Sequence, residues 1–179
     1  MNVNKPIPNL RISLIGMMGA GKSSIAQHLA KKLNITLYDL DHYIEKHTQL
    51  SISQIFTQYN ELYFRNLEKK YLKQIINLKE NFVLSCGGGS FITEDIRNIL
   101  LNNTIVFWLD ASPKIIYSRI KDDNNRPLLS KNNSIDNIEK ILKERIQYYQ
   151  LSHHKINTDN KDITELCNNI IKKLPHENS

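Results

Sequence analysis

Eight consecutive residues, Gly16-Met17-Met18-Gly19-Ala20-Gly21-Lys22-Ser23, meet the spacing G-x-x-x-x-G-K-[ST]. The chemistry served by that spacing is phosphate binding. Glycines let a turn aim successive backbone N–H groups at one point, and the helix that follows adds the partial positive charge of its N-terminus. Lys22 would neutralise β- and γ-phosphate charge, and the Ser23 hydroxyl is the expected Mg²⁺ ligand.

Further residues able to do chemistry recur down the chain. Asp39 and Asp41 stand two apart, so in an extended segment both would face a γ-phosphate and an acceptor hydroxyl. The plainer role for either aspartate alone is a helix N-cap. P-loop proteins commonly hold Mg²⁺ with help from an Asp that ends an apolar strand. Cys86-Gly87 occupies the place after the third strand, which leaves Asp39, at the end of the second, to serve the metal through water. Asp110 also ends an apolar run, but the adjoining Ser112-Pro113 gives it the simpler role of helix entry. Gly87-Gly88-Gly89 is either a flexible strand exit or bare backbone offered to a small ligand. A phosphotransferase also needs cations that arrive on closure, and Arg126, beside Pro127 in a polar loop, suits that task. His153 and His154 are adjacent and so diverge on a helix, a poor metal geometry, which makes them surface residues.

The elements that must carry these residues follow from hydrophobic period. Strands are expected at 10–15, 35–38, 82–86, 104–109 and 155–157. Helices are expected at 22–32, 41–46, 51–59, 61–78, 94–101, 113–121, 134–150 and 162–174. In the long 61–78 helix, Phe64, Leu67, Tyr71, Leu72, Ile75 and Ile76 form the buried stripe. Ser112-Pro113 reads as N-cap and first helical residue, and the aperiodic run 122–133 as a surface loop. Strands alternating with helices predict an α/β fold, a parallel sheet covered on both faces in three αβα layers. In such a sheet ligands gather beyond the carboxyl ends of the strands, which puts the P-loop, Asp39 to Asp41 and the triple glycine on one rim.

Length and composition narrow the class. At 179 residues the chain amounts to one domain, 1–179, with room for a core needing neither disulfides nor a structural metal. No apolar run approaches the about 18 residues that span a bilayer, and the N-terminal residues lack a signal-peptide core, so the expectation is a cytoplasmic protein without membrane contact. The two cysteines, Cys86 and Cys167, fit free thiols. A net charge of +6 is spread without a basic block, which argues against nucleic acid and suits an enzyme with anionic ligands.

The set of motifs resembles the shikimate kinase family, of the nucleoside-monophosphate-kinase-like P-loop fold. The likeness runs from about Leu10 to Leu174. It is carried in order by Gly16 to Ser24, Asp39-Leu40-Asp41, Phe64-Arg65 with Glu68, Gly87-Gly88-Gly89, Arg126-Pro127-Leu128-Leu129, and Arg145 with Tyr149. The resemblance implies a five-stranded sheet of order 2-3-1-4-5, an acceptor-binding region at about 41–80 and a mobile lid at about 122–133. Its implied substrates are ATP and shikimate, with Mg²⁺, in a monomer. It places ATP on Gly19, Ala20, Gly21, Lys22, Ser23, Ser24, Arg119 and Arg126, with Arg119 packing on adenine. Shikimate falls to Asp41, Arg65, Gly88 and Arg145, of which Arg65 and Arg145 grip its carboxylate. Lys22, Asp41 and Arg126 are the implied catalytic residues, and Ser23 with Asp39, through water, the metal site. Glu68 would orient Arg65, while Phe56 and Phe64 form an apolar wall.

Two positions depart from the family pattern: Gln147 replaces the usual Pro, and the adenine loop near Thr158 to Asp162 matches loosely. Rival readings fit less. A P-loop GTPase would need Asn-Lys-x-Asp, and Asn160-Lys161-Asp162-Ile163 ends in Ile; a dinucleotide fingerprint would need Gly or Ala where Ser24 stands. Gluconate and nucleotide kinases share the loop and lid logic but do not need Arg65 and Arg145 together with Gly87 to Gly89.

Overall fold

The computed structural model describes residues 9–121 and 134–175. Its strands are β1 (Arg11–Ile15), β2 (Thr36–Asp39), β3 (Phe82–Ser85), β4 (Ile105–Asp110) and β5 (His154–Asn157). They form one parallel sheet in the order β2-β3-β1-β4-β5, as the resemblance implied. The helices are α1 (Lys22–Leu33), α2 (Leu40–Thr48), α3 (Ile52–Gln58), α4 (Glu61–Ile76), α5 (Glu94–Asn103), α6 (Pro113–Ile120), α7 (Ile135–Tyr149) and α8 (Ile163–Ile171), with a 3₁₀ turn at Ser90–Ile92. No helix among the described residues is long and apolar enough to cross a membrane. The lid expected at 122–133, and Arg126 within it, lie outside the described residues.

Every residue of β3 is buried, as are all but the first of β1 and all but the two ends of β4, because helices cover both faces of the sheet. Across the sheet, Asp39 pairs with Ser85, Leu14 with Ser85, and Ile15 with Trp108. This register brings the carboxyl ends of β2, β3, β1 and β4 to one rim, so the segments leaving those strands share one space. Helix α4 buries the whole predicted stripe and adds Glu68 to it. Helix α3 begins with a full capping box, Ser51 with Gln54.

Two local expectations need correction. The segment from Asp39 to Asp41 is not extended: Asp39 ends β2 and caps α2, accepting the His42 N–H at 3.3 Å, while Asp41 lies in the first helical turn. Buried Leu40 draws the chain into the helix at once, so the two carboxylates are set by a cap and a turn and not by strand alternation. His153 and His154 are not on a helix either. His154 begins β5, and His153 Nδ1 accepts the Val106 N–H at 3.0 Å, a structural tie to β4.

Candidate active site

The P-loop leaves β1 through Gly16 at φ 136°, where a side chain would be strained and its Cβ would lie 2.5 Å from the Leu109 carbonyl oxygen of β4. The loop then enters α1, whose N-cap is Gly21. Lys22 folds back over it, with Nζ donating to the carbonyls of Gly16 and Met17, each at 2.9 Å. Opposite, the exposed Ser23 hydroxyl donates to Asp39 Oδ2 at 3.2 Å. Arg119, from α6, donates to the Gly19 carbonyl at 3.0 Å and so arrives at the edge of the same loop.

Gly19, Gly21, Lys22, Ser23, Asp39 and Arg119 line a cavity of about 750 Å³ that also takes in Ser24, Asp41, Glu45, Cys86, Gly87 and Gly88. The predicted rim is therefore one space. Asp41 Oδ1 is buried with no hydrogen-bond partner among the described residues. Burial first, then the negative charges of Glu68 and Asp39, push this carboxyl up to about 7. An acid placed so is poised to hold or release a proton near neutral pH.

The triple glycine organises the far wall. A Cβ on Gly87 would lie 3.1 Å from Asp41 Oδ1, one on Gly88 would lie 3.5 Å from Arg145 Nη1 and 3.3 Å from the Met18 amide nitrogen, and one on Gly89 would lie 2.5 Å from Arg65 Nη2. Three successive residues thus touch three side chains from α2, α7 and α4. At Gly89 a side chain would displace the Arg65 guanidinium from its present place. The triple glycine is thus packed against side chains of three helices, and Gly87 and Gly88 line the cavity.

Both predicted arginines are fixed from behind. Arg65 Nη1 donates to Glu68 Oε2 at 2.5 Å and its Nη2 to Glu61 Oε1 at 2.9 Å, with the guanidinium 5.2 Å from the Phe64 ring centre. The Phe64 ring centre lies 4.8 Å from that of Phe56, and neither ring is among the residues lining the cavity. Arg145 Nη1 donates to the Gly88 carbonyl at 3.2 Å, and the buried Tyr149 hydroxyl donates to that same oxygen at 2.5 Å. Neither arginine is among the residues lining the cavity itself; Arg145 reaches its wall through Gly88, and Arg65 packs on Gly89, one residue beyond the lining.

The family model described as shikimate kinase matches residues 18–175. The chain belongs to the shikimate kinase family. It is 38% identical over 163 residues to the shikimate kinase of Sulfurihydrogenibium sp. (strain YO3AOP1), covering 91% of this chain and 96% of that one. To the shikimate kinase of Caldicellulosiruptor saccharolyticus it is 41% identical over 148 residues, covering 83% and 86%. Among solved structures, the shikimate kinase of Acinetobacter baumannii in complex with shikimate superposes with a TM-score of 0.86 at 33% identity, over 93% of this chain and 92% of that one.

Within this shikimate kinase fold the two departures from the family pattern have local explanations. Helix α7 runs unbroken through Gln147, whose amide donates to the Glu144 carbonyl at 3.2 Å. The loosely matching loop is tied to β4 and α6: Thr158 N–H donates to the Asp110 carbonyl at 2.8 Å, and Asp159 Oδ1 accepts the Ser112 N–H at 3.0 Å. Asp110 itself pairs with Lys155 at 2.9 Å. Sequence reasoning missed Glu45, which lines the cavity and accepts the Ile52 N–H at 2.9 Å, and Ser90, which donates to Glu68. Spacing could have flagged Glu45, one helical turn after Asp41. Nothing local marks Ser90.

Proposed function

We propose that this chain transfers the γ-phosphoryl group of ATP to the 3-hydroxyl of shikimate, the kinase step of the chorismate branch of aromatic amino acid biosynthesis. The observation that carries the reading is the meeting of Asp41, Arg145 and Arg65 on three successive glycines beside a P-loop cavity. A carboxylate with ring hydroxyls is the ligand that two guanidinium forks and one acid would recognise together. Family membership and the shikimate bound in the Acinetobacter relative support the same choice.

In this reading the nucleotide lies along Gly19 to Ser24, with Arg119 toward its base, and the acceptor lies against Asp41, Gly88, Arg65 and Arg145. Lys22 and Arg126 stabilise charge as the phosphoryl group moves in line between the two oxygens. Asp41 holds the acceptor hydroxyl and takes its proton, a role helped by a carboxyl pushed up to about 7. Two guanidinium forks fix the ring so that the hydroxyl arrives at attack distance. The Ser23 hydroxyl beside Asp39 Oδ2 is a hard-oxygen pair of the kind Mg²⁺ accepts when phosphates and water supply the rest. Held there by Ser23 and, through water, Asp39, Mg²⁺ would supply positive charge to offset that of the nucleotide phosphates. The cytoplasm, where ATP is supplied, is the compartment this reading implies.

The test is ADP release with Mg-ATP against shikimate, gluconate, AMP and CMP, with Asp41→Asn as control. Turnover of shikimate alone, lost in the variant, is the expected result. Turnover of gluconate or a nucleotide in preference would overturn the assignment.

A further inference from the structure

Ser90 opens the 3₁₀ turn behind the triple glycine and is fully buried. Its N–H donates to the Gly87 carbonyl at 3.2 Å, which folds its side chain back toward α4. There the hydroxyl donates to Glu68 Oε1. Glu68 is 0% exposed, and its other oxygen, Oε2, receives Arg65 Nη1 at 2.5 Å. One buried carboxylate is therefore held by a donor on each oxygen, with the Arg65 guanidinium on one side and a loop hydroxyl on the other. Arg65 in turn presses against Gly89, the residue next to Ser90. The chain Ser90–Glu68–Arg65 closes a ring that returns to the loop where it began.

We infer that Ser90 is a positioning residue for the acceptor site: its hydroxyl fixes the Glu68 carboxylate so that Arg65 keeps its guanidinium turned to the substrate carboxylate. The inference rests on the reading of the substrate as shikimate. The physical reason is rotational. A Glu side chain has three torsions, and one ion pair through a single oxygen leaves the plane of its carboxylate undetermined. A second donor, supplied by a turn that is itself tied down, sets that plane. Arg97 does the tying, donating to the carbonyls of Phe91 at 3.2 Å and Ile92 at 2.9 Å. The hydrogen bond also favours the charged form of Glu68, against a burial that raises its pKa.

The experiment is a double-mutant cycle on Ser90→Ala and Arg65→Ala, with KM for shikimate, KM for ATP and kcat measured for wild type, both single variants and the double. Losing one hydrogen bond to a buried charged group is worth about a factor of ten or more, and part of that should pass to Arg65. Ser90→Ala should raise KM for shikimate about tenfold, with kcat and KM for ATP within about twofold. In the Arg65→Ala background it should add nothing, because the residue it acts through is gone. Ser90→Cys, of similar shape but a weak donor, should fall between wild type and Ser90→Ala. An unchanged KM in Ser90→Ala, a rise that persists without Arg65, or unfolding of both Ser90 variants in a melting scan would each overturn the inference, the last by making the hydroxyl a requirement of the fold. A wild-type protein that does not phosphorylate shikimate would instead overturn the substrate reading, and this inference with it.

Discussion

Asp41→Asn removes one negative charge from the wall of the cavity, and two opposite effects follow from where that charge sits. The carboxyl ionises near 3.8 when unperturbed and near about 7 in the fold, because it is buried and faces Glu68 and Asp39. At ~1.4 kcal/mol per pH unit, that gap means the native structure carries roughly 4 kcal/mol of unfavourable energy once the group is ionised. Below about pH 4 both folded and unfolded chains hold the proton, and the group contributes nothing. Between about 4 and 7 only the unfolded chain gives it up, so wild-type stability falls as pH rises, reaching the full penalty above 7. The amide never ionises. Asp41→Asn should therefore be more stable than wild type by up to about 4 kcal/mol at pH 8, on the order of 10 °C in Tm for a chain of this size, with a gain that fades toward pH 4. Its kcat should fall by about a hundredfold or more, since the proton acceptor is gone. Wild-type kcat should itself decline as pH drops through about 7. Urea or thermal denaturation at pH 5, 6, 7 and 8, paired with ADP release, reads all three. A stability gain that is absent at pH 8, or equal at pH 5 and 8, would refute the electrostatic reasoning.

Arg65→Ala should raise KM for shikimate with a smaller effect on kcat, whereas Arg126→Ala should lower kcat by about a hundredfold or more while shikimate binding holds. Steady-state kinetics of the two variants check this, and equal effects on both parameters in both variants would count against the division of roles. Gln49 closes α2 with φ 57°, a left-handed backbone that favours glycine. Gln49→Gly should therefore stabilise the protein by about 0.5–1 kcal/mol, read as a higher urea midpoint with an unchanged slope; a lower midpoint would mean the turn carries no strain.

What the sequence made legible was whatever depends on neighbours in the chain. The P-loop, the apolar run of β4 and the buried stripe of α4 are local patterns, and each stands where the pattern put it. The pair Asp39 and Asp41 was read as functional from spacing, and both line the cavity, but their geometry was misjudged because strand and helix meet between them. Glu68 illustrates a signal half-visible: it falls one turn from both Phe64 and Leu72, on a stripe otherwise apolar, which marks a buried charge in need of partners. Ser90 gave no such mark. Its partner is 22 residues away, joined only when the turn after β3 folds against α4. Tyr149 and Gly88 meet in the same way across 61 residues.

Those long-range meetings leave little spare room at the centre of the proposed acceptor site. The Gly88 position stands between the Met18 amide of the P-loop at 3.3 Å and Arg145 at 3.5 Å, measured from where a Cβ would be. The phosphate cradle and the acceptor wall are therefore separated by one residue's backbone. That backbone is positioned by β3, and the cradle by β1, two strands hydrogen-bonded to each other in the sheet. The spacing between donor and acceptor is thus set by strand register, the least deformable part of the fold, while α2, α4 and α7 deliver side chains to a frame already fixed. Misplacement of a single arginine should then weaken binding of the acceptor without disturbing the nucleotide, which is why the kinetic split between KM for shikimate and KM for ATP discriminates so well among the variants of this wall.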